Sequence, residues 1–199
     1  MLVLGHVGIT FGVALAAEAL ASRSHLVTAG RSHPGLRARV HAAIVSLSSR
    51  VDLRILLVAS LLPDIIDKPL GFIIFPHVFG TGRLFAHALV FPVVLALSGA
   101  WLYRSRRSMV LLTLAYGATM HLALDVMWRT PSVLFWPFAG PLPRGGNADG
   151  WLTDIFTTLL TNPAAYLPEI AGAILLVPLL FTVIGRTGLR RFLRSGAVD

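Results

Sequence analysis

Six side chains with metal-ligating chemistry, His6, Asp64, Asp67, His87, His121 and Asp125, stand in a chain whose other residues suit lipid better than water. Ionisable groups in apolar segments are costly, so each needs a partner or a task, and shared coordination chemistry points to one site. His121 and Asp125, in the run HLALD, are four apart and share a helix face. Asp64 and Asp67, in LLPDIIDKPLG, are three apart and converge if that turn is helical. His87, in RLFAHALVF, comes from a third helix and His6, in GHVGITFG, from a fourth. Bundles build metal sites from ligands on facing helices. With no cysteine in the chain, any metal is held by nitrogen and oxygen, which suits zinc first, with manganese or iron as alternatives.

These six residues exceed the three or four protein ligands of one catalytic zinc, so a two-metal site with Asp125 as the bridging carboxylate is open. Such a site would act on a phosphoester, with the remaining member of the Asp64/Asp67 pair as catalytic general base. Lys68, Arg83 and Arg129 lie close in sequence to the expected ligands and would bind an anionic substrate, phosphate above all. Plainer readings stand beside these. His121 and Asp125 could form a structural hydrogen bond between helices. Asp64 and Asp67 could cap the following helix or pair with Lys68 and Arg83. Interfacial contacts account for His25, His33, His41 and His77, solvated lid positions for Asp149 and Asp154, and a simple polar contact for Glu169.

The elements that must position the site are membrane helices. The 199 residues are 55% hydrophobic and 13% charged, with a mean hydropathy of +0.76, which excludes an ordinary soluble domain. The expected fold class is all-α: a single membrane-embedded domain, a multi-pass bundle of about five spans with an outer lid. Apolar windows place helices at roughly 2–21, 53–66 continuing irregularly to 79, 84–102, 109–128 and 164–185. Pro63, Asp64, Asp67, Lys68 and Pro69 interrupt the second, and a broken helix at membrane depth is tolerated only beside protein or a wet cavity. Ala19-Leu20-Ala21 has the form of a signal cleavage site, but the usual positive flank is missing, so the first helix is expected to stay in the protein.

The net charge of +8 follows the membrane and implies no nucleic acid partner. Arginines cluster in a basic loop, 22–53 (Arg23, Arg31, Arg37, Arg39, Arg50), with Arg54 just beyond it, after the third helix (Arg104, Arg106, Arg107), and in a basic tail, 186–199. Positive-inside placement puts these in the cytoplasm, the N-terminus outside, the C-terminus inside, and all six candidate ligands on the outer side of the inner or plasma membrane. A short amphipathic helix near 39–47 would rest on anionic lipid. Residues 129–163, rich in Pro, Gly and Trp, read as the outer lid, with an interfacial helix at 151–160.

In this order and spacing, the N-terminal GH, LLPDIIDKPLG, RLFAHALVF, HLALDVMW and VLFWPFAG resemble the YdjM-like family, described as LexA-regulated, inner-membrane, metal-dependent hydrolases. Where that family carries PDID and HRG-x-TH, this chain has PDIID and GRLFAH, so which aspartate binds metal stays open. The order Asp, His, H-x3-D is also similar to zinc-dependent phospholipase C and P1-type nucleases. That resemblance implies one metal on Asp64 or Asp67, His87, His121 and Asp125, and a second on His6 and Asp125. No histidine follows His121, so a one- or two-metal site is expected rather than a trinuclear one. The implied function is membrane-bound hydrolysis of a phosphoester or related bond in a lipid or lipid-linked substrate. The alternatives are a metal-ion or proton transporter using the same residues, or a scaffold braced by a structural metal. Transport is disfavoured because, between Arg104 and His121, the fourth helix carries no ionisable side chain other than Tyr116.

Overall fold

A computed structural model describes the backbone of residues 2–27, 35–146 and 149–198, and their side chains except those of 21–27. The side chains of Arg23, His25, Arg31 and His33, and residues Asn147 and Ala148 of the lid, lie outside the described residues. About 75% of the chain is helical and no strand occurs among the described residues, so the all-α expectation holds.

Helix α1 (Val3–Val27) packs along α9 (Pro163–Thr182), which continues as a π-helical turn over Val183–Thr187. Glycines permit the crossing: a Cβ on Gly8 would lie 1.9 Å from the Gly172 carbonyl oxygen. Small residues at such a crossing let two backbones approach closely, as membrane helices commonly do. Among the described residues, windows within these two elements, Val3–Leu20 and Pro163–Thr187, are long and apolar enough to cross a membrane, and only 33% and 22% of them is buried by the protein. A core helix of a soluble protein would be mostly covered; these leave an apolar surface for another phase to cover.

The second expected span is three pieces: α3 (Leu53–Ala59), α4 (Leu62–Lys68) and a π-helical turn over Pro69–Ile74. Pro63 sits in the first turn of α4, where its missing N–H costs nothing. The third begins later than its hydropathy predicts, since α5 runs Val90–Arg106 and residues 81–89 are irregular. The cause is Asp67, whose carboxylate takes the backbone N–H groups of Leu84, Ala86 and His87 and so holds the chain out of helix. Helix α6 (Val110–Leu124) ends before 128 because Val126 adopts a left-handed conformation (φ 54°), turning the chain into a 3-10 turn, Met127–Arg129.

The segment 129–163, expected as a lid, contains α7 (Pro131–Leu134) and α8 (Trp151–Thr161). It is tied down by Gly145 and Gly146 donating to the carbonyls of Val78 and Phe79, by Leu89 N donating to Leu134 O, and by Trp151 stacking on Phe72 at 4.8 Å. At the other end lie α2 (Leu36–Arg50), longer than the 39–47 expected, and α10 (Leu189–Ser195). Ser46 Oγ donates to Glu18 Oε1 at 2.6 Å, and Arg54 Nη1 donates to Leu193 O at 2.7 Å. Between the ends sits an apolar cluster that includes Phe11, Ile44, Leu53, Leu56 and Leu179. His6 and Glu18, both on α1, are separated by about 18 Å at 1.5 Å per residue. The candidate ligands and the basic segments therefore occupy opposite ends of the bundle.

Candidate metal centre

Five of the six expected residues converge through a shared device: each histidine has Nδ1 tied to an acceptor, which aims Nε2 inward. His6, at the start of α1, has Nδ1 2.6 Å from Leu2 O. His121, in the last turn of α6, has Nδ1 2.7 Å from Ser60 O, the carbonyl exposed by the break between α3 and α4. His87, on the irregular stretch before α5, has Nδ1 2.8 Å from Asp67 Oδ2. Since each of these partners accepts, each Nδ1 carries the proton and each Nε2 presents a lone pair.

Close approach of α6 to α3 makes the His121 contact possible. Gly117, one turn before His121, has no room for a side chain: a Cβ there would lie 2.4 Å from the Ala59 carbonyl carbon. His6 is set from α9, where Glu169 accepts from Leu2 N at 2.7 Å and Leu4 N at 2.8 Å. That carboxylate fixes the first turn of α1 and with it the Leu2 carbonyl used by His6.

The Nε2 atoms of His87 and His121 are 3.3 Å apart, and that of His6 lies 3.2 Å from Asp125 Oδ1. His6 Nε2 is buried with no hydrogen-bond partner. Asp64 Oδ1 approaches the Nε2 atoms of His87 and His121 at 3.6 and 3.7 Å. Facing lone pairs at such distances repel. Protons could relieve them only by forming imidazolium ions at sites 0–1% exposed, whereas a divalent cation relieves them together. The donor set thus fits a metal ion, by its chemistry and by the orphaned His6 nitrogen.

Two overlapping triads form: His6, His121 and Asp125, and Asp64, His87 and His121, the ligand atoms of each lying within 4.8 Å of one another. His121 offers one lone pair, so it can serve one ion only. The other oxygen of each carboxylate faces a cation: Asp64 Oδ2 is 2.6 Å from Lys68 Nζ, and Asp125 Oδ2 is 3.0 Å from Arg83 Nη2. Asp67 differs from the other five. It is wholly buried and accepts from Leu84 N, Ala86 N, His87 N and His87 Nδ1.

Beside the cluster lies a cavity of about 400 Å³. Asp64, Asp125, Lys68 and Arg83 line its polar side together with Asp154 of α8, expected from sequence only as a solvated lid residue, and Leu2, Phe72 and the α8 residues Ile155 and Leu159 form its apolar wall. Arg129 does not line it. Sequence reasoning missed the Ser60 and Leu2 carbonyls, which carry no side-chain signal; the polar contact it favoured for Glu169, over a role as ligand or base, is the one with Leu2 N and Leu4 N.

No curated protein and no solved structure matches the chain. A family model described as YdjM inner membrane protein matches residues 1–191. Spanning nearly the whole sequence, including every residue of the cluster, that match shows that the chain belongs to the YdjM inner membrane protein family.

Proposed function

We propose that this protein is a membrane-bound, metal-dependent hydrolase that cleaves a phosphoester or related bond in a lipid or lipid-linked substrate. The observation that carries the reading is the convergence of three Nε2 lone pairs and two carboxylates in two overlapping triads beside a cavity with one wall of mixed charge and one apolar wall. His6, His87, His121, Asp64 and Asp125 would hold the ion. Zinc suits this nitrogen and oxygen set first, and manganese or iron would also fit. Bound there, a divalent ion supplies Lewis acidity and lowers the pKa of water to near neutrality.

The chain's own groups supply the remainder. Asp67 orients His87, as a carboxylate behind a metal-ligating histidine does, in place of the ligand or base role expected from sequence. Lys68 and Arg83 each already neutralise one oxygen of a site carboxylate and would turn toward a phosphoryl group in the cavity. Arg129 stands apart from that wall and carries no role here.

The lid supports a lipid substrate. Leu152, Phe156 and Leu160 form an exposed stripe on α8 at i, i+4 and i+8, while Ile155 and Leu159 face the cavity. An α8 lying in the membrane interface would expose the stripe to lipid and cover a substrate chain with its other face. Topology follows the arginines: about five membrane segments, the N-terminus and site outside, the C-terminus in the cytoplasm. The apolar cluster between the site and the basic end favours hydrolysis over a transmembrane proton or ion relay.

Phosphate release from phosphatidate and from a polyprenyl diphosphate tests the reading, with purified protein in detergent before and after chelation. Release that stops on chelation, returns with zinc or manganese, and is lost in His87→Ala supports it. Metal-loaded, folded protein that cleaves neither these nor a broader lipid phosphate panel contradicts it.

A further inference from the structure

A second cavity, of about 550 Å³, lies at the opposite end of the bundle, between α2 and the end of α9. Its lining divides into two parts. Arg37 and His41, one turn apart on α2, face Arg186 beyond α9, and Arg186 Nη1 is 3.3 Å from His41 Nε2. The remainder is apolar, including Val40, Ile44, Val177 and Phe181. Among the described residues no acidic side chain lines it. Along α9, Val177 and Phe181 lead to Arg186 over nine residues, about 13 Å, which matches a phosphate group and the first part of an acyl chain. Phe181 is 72% exposed and Val177 42% exposed, so the apolar part opens sideways from the helix.

We infer that this groove binds one anionic glycerophospholipid, its phosphate between Arg37 and Arg186 and an acyl chain along Val177 and Phe181. Charge complementarity selects an anion, since the cations face one another with no carboxylate among the described lining residues. Guanidinium groups match phosphate geometry and favour it over other anions. The apolar wall selects a lipid over a free phosphate, and the basic end of the bundle is the side on which anionic headgroups attract arginines. The lipid would brace α2 against α9, about three helical turns from the metal cluster, so this inference stands apart from the hydrolase reading.

Native mass spectrometry of the full chain, released from nanodiscs of phosphatidylglycerol or of phosphatidylcholine, tests it. The expected result is retention of about one phosphatidylglycerol and no phosphatidylcholine. Replacing both arginines (Arg37→Gln with Arg186→Gln) should weaken retention about thirty-fold, as expected for two surface arginines lost. Arg104→Gln with Arg106→Gln, on the same side but outside the groove, should leave it unchanged. Helical circular dichroism and metal content confirm that each variant folds. Equal retention of phosphatidylcholine, equal loss in the control pair, or displacement of the lipid by millimolar inorganic phosphate would each overturn the inference.

Discussion

Asp67 and His87 are joined twice: the same carboxylate oxygen, Oδ2, lies 3.1 Å from the His87 backbone nitrogen and 2.8 Å from its Nδ1. One buried carboxylate thereby sets both the path of the chain before α5 and the tautomer of the ring. Asp67→Asn keeps the shape but leaves one acceptor oxygen for four donors and adds an amide N–H. We expect a loss of about 1–3 kcal/mol in stability from the unsatisfied groups. Metal affinity should fall about 10- to 100-fold, as when other partners behind metal-ligating histidines are lost. Asp64→Asn should lose metal with little change in unfolding temperature. Thermal unfolding and metal titration on both variants separate the roles; matching profiles would count against the distinction.

Gly117 gives a second test. A side chain there must push α6 from Ala59 and draw His121 off the Ser60 carbonyl. Gly117→Val is expected to cost about 1–3 kcal/mol through overpacking and to lower metal content. Gly185→Ala is the control, since nothing lies within 4 Å of its Cβ position, and it should leave both unchanged.

Metal binding should also depend on pH. Protons compete with the ion for each Nε2. Affinity should therefore fall as the solution is made more acid, because each protonated ring loses the lone pair that would hold the ion. Competition with a chelating dye from pH 5 to 8 measures this, and a flat profile would argue against histidine ligands.

A separate acid sensitivity is expected at the basic end. Asp52 caps α3 and is held below the usual carboxylate range by hydrogen bonds from the Arg54 side chain, with burial opposing. A depressed carboxylate contributes stability above its unfolded value of about 3.9 and loses it as pH falls through the lower folded value. Asp52→Asn should remove that part of the acid unfolding profile without affecting metal content.

Much of this was legible from residue types and spacing, and the failures share a cause. Apolar runs located α1, α6 and α9, and the proline and aspartate cluster marked the broken second segment. Hydropathy carried helix into 84–89 because those residues are apolar; the competing signal was Asp67, a hydrogen-bond acceptor 17 to 20 residues away. The residue types of the ligand cluster were readable, but the aiming of each ring was not. It depends on two backbone carbonyls and on Glu169, which meets the start of α1 across more than 160 residues. Arg129 was placed near the site by sequence proximity alone, and the left-handed Val126 turns the chain just before it.

Elemental analysis of the purified full chain tests the metal centre most directly, comparing wild type with His121→Ala. The account predicts about one equivalent of zinc, manganese or iron in wild type, because His121 can serve a single ion, and its loss in a variant that keeps its helical content. Folded wild type that holds no divalent metal, even after reconstitution, would contradict it.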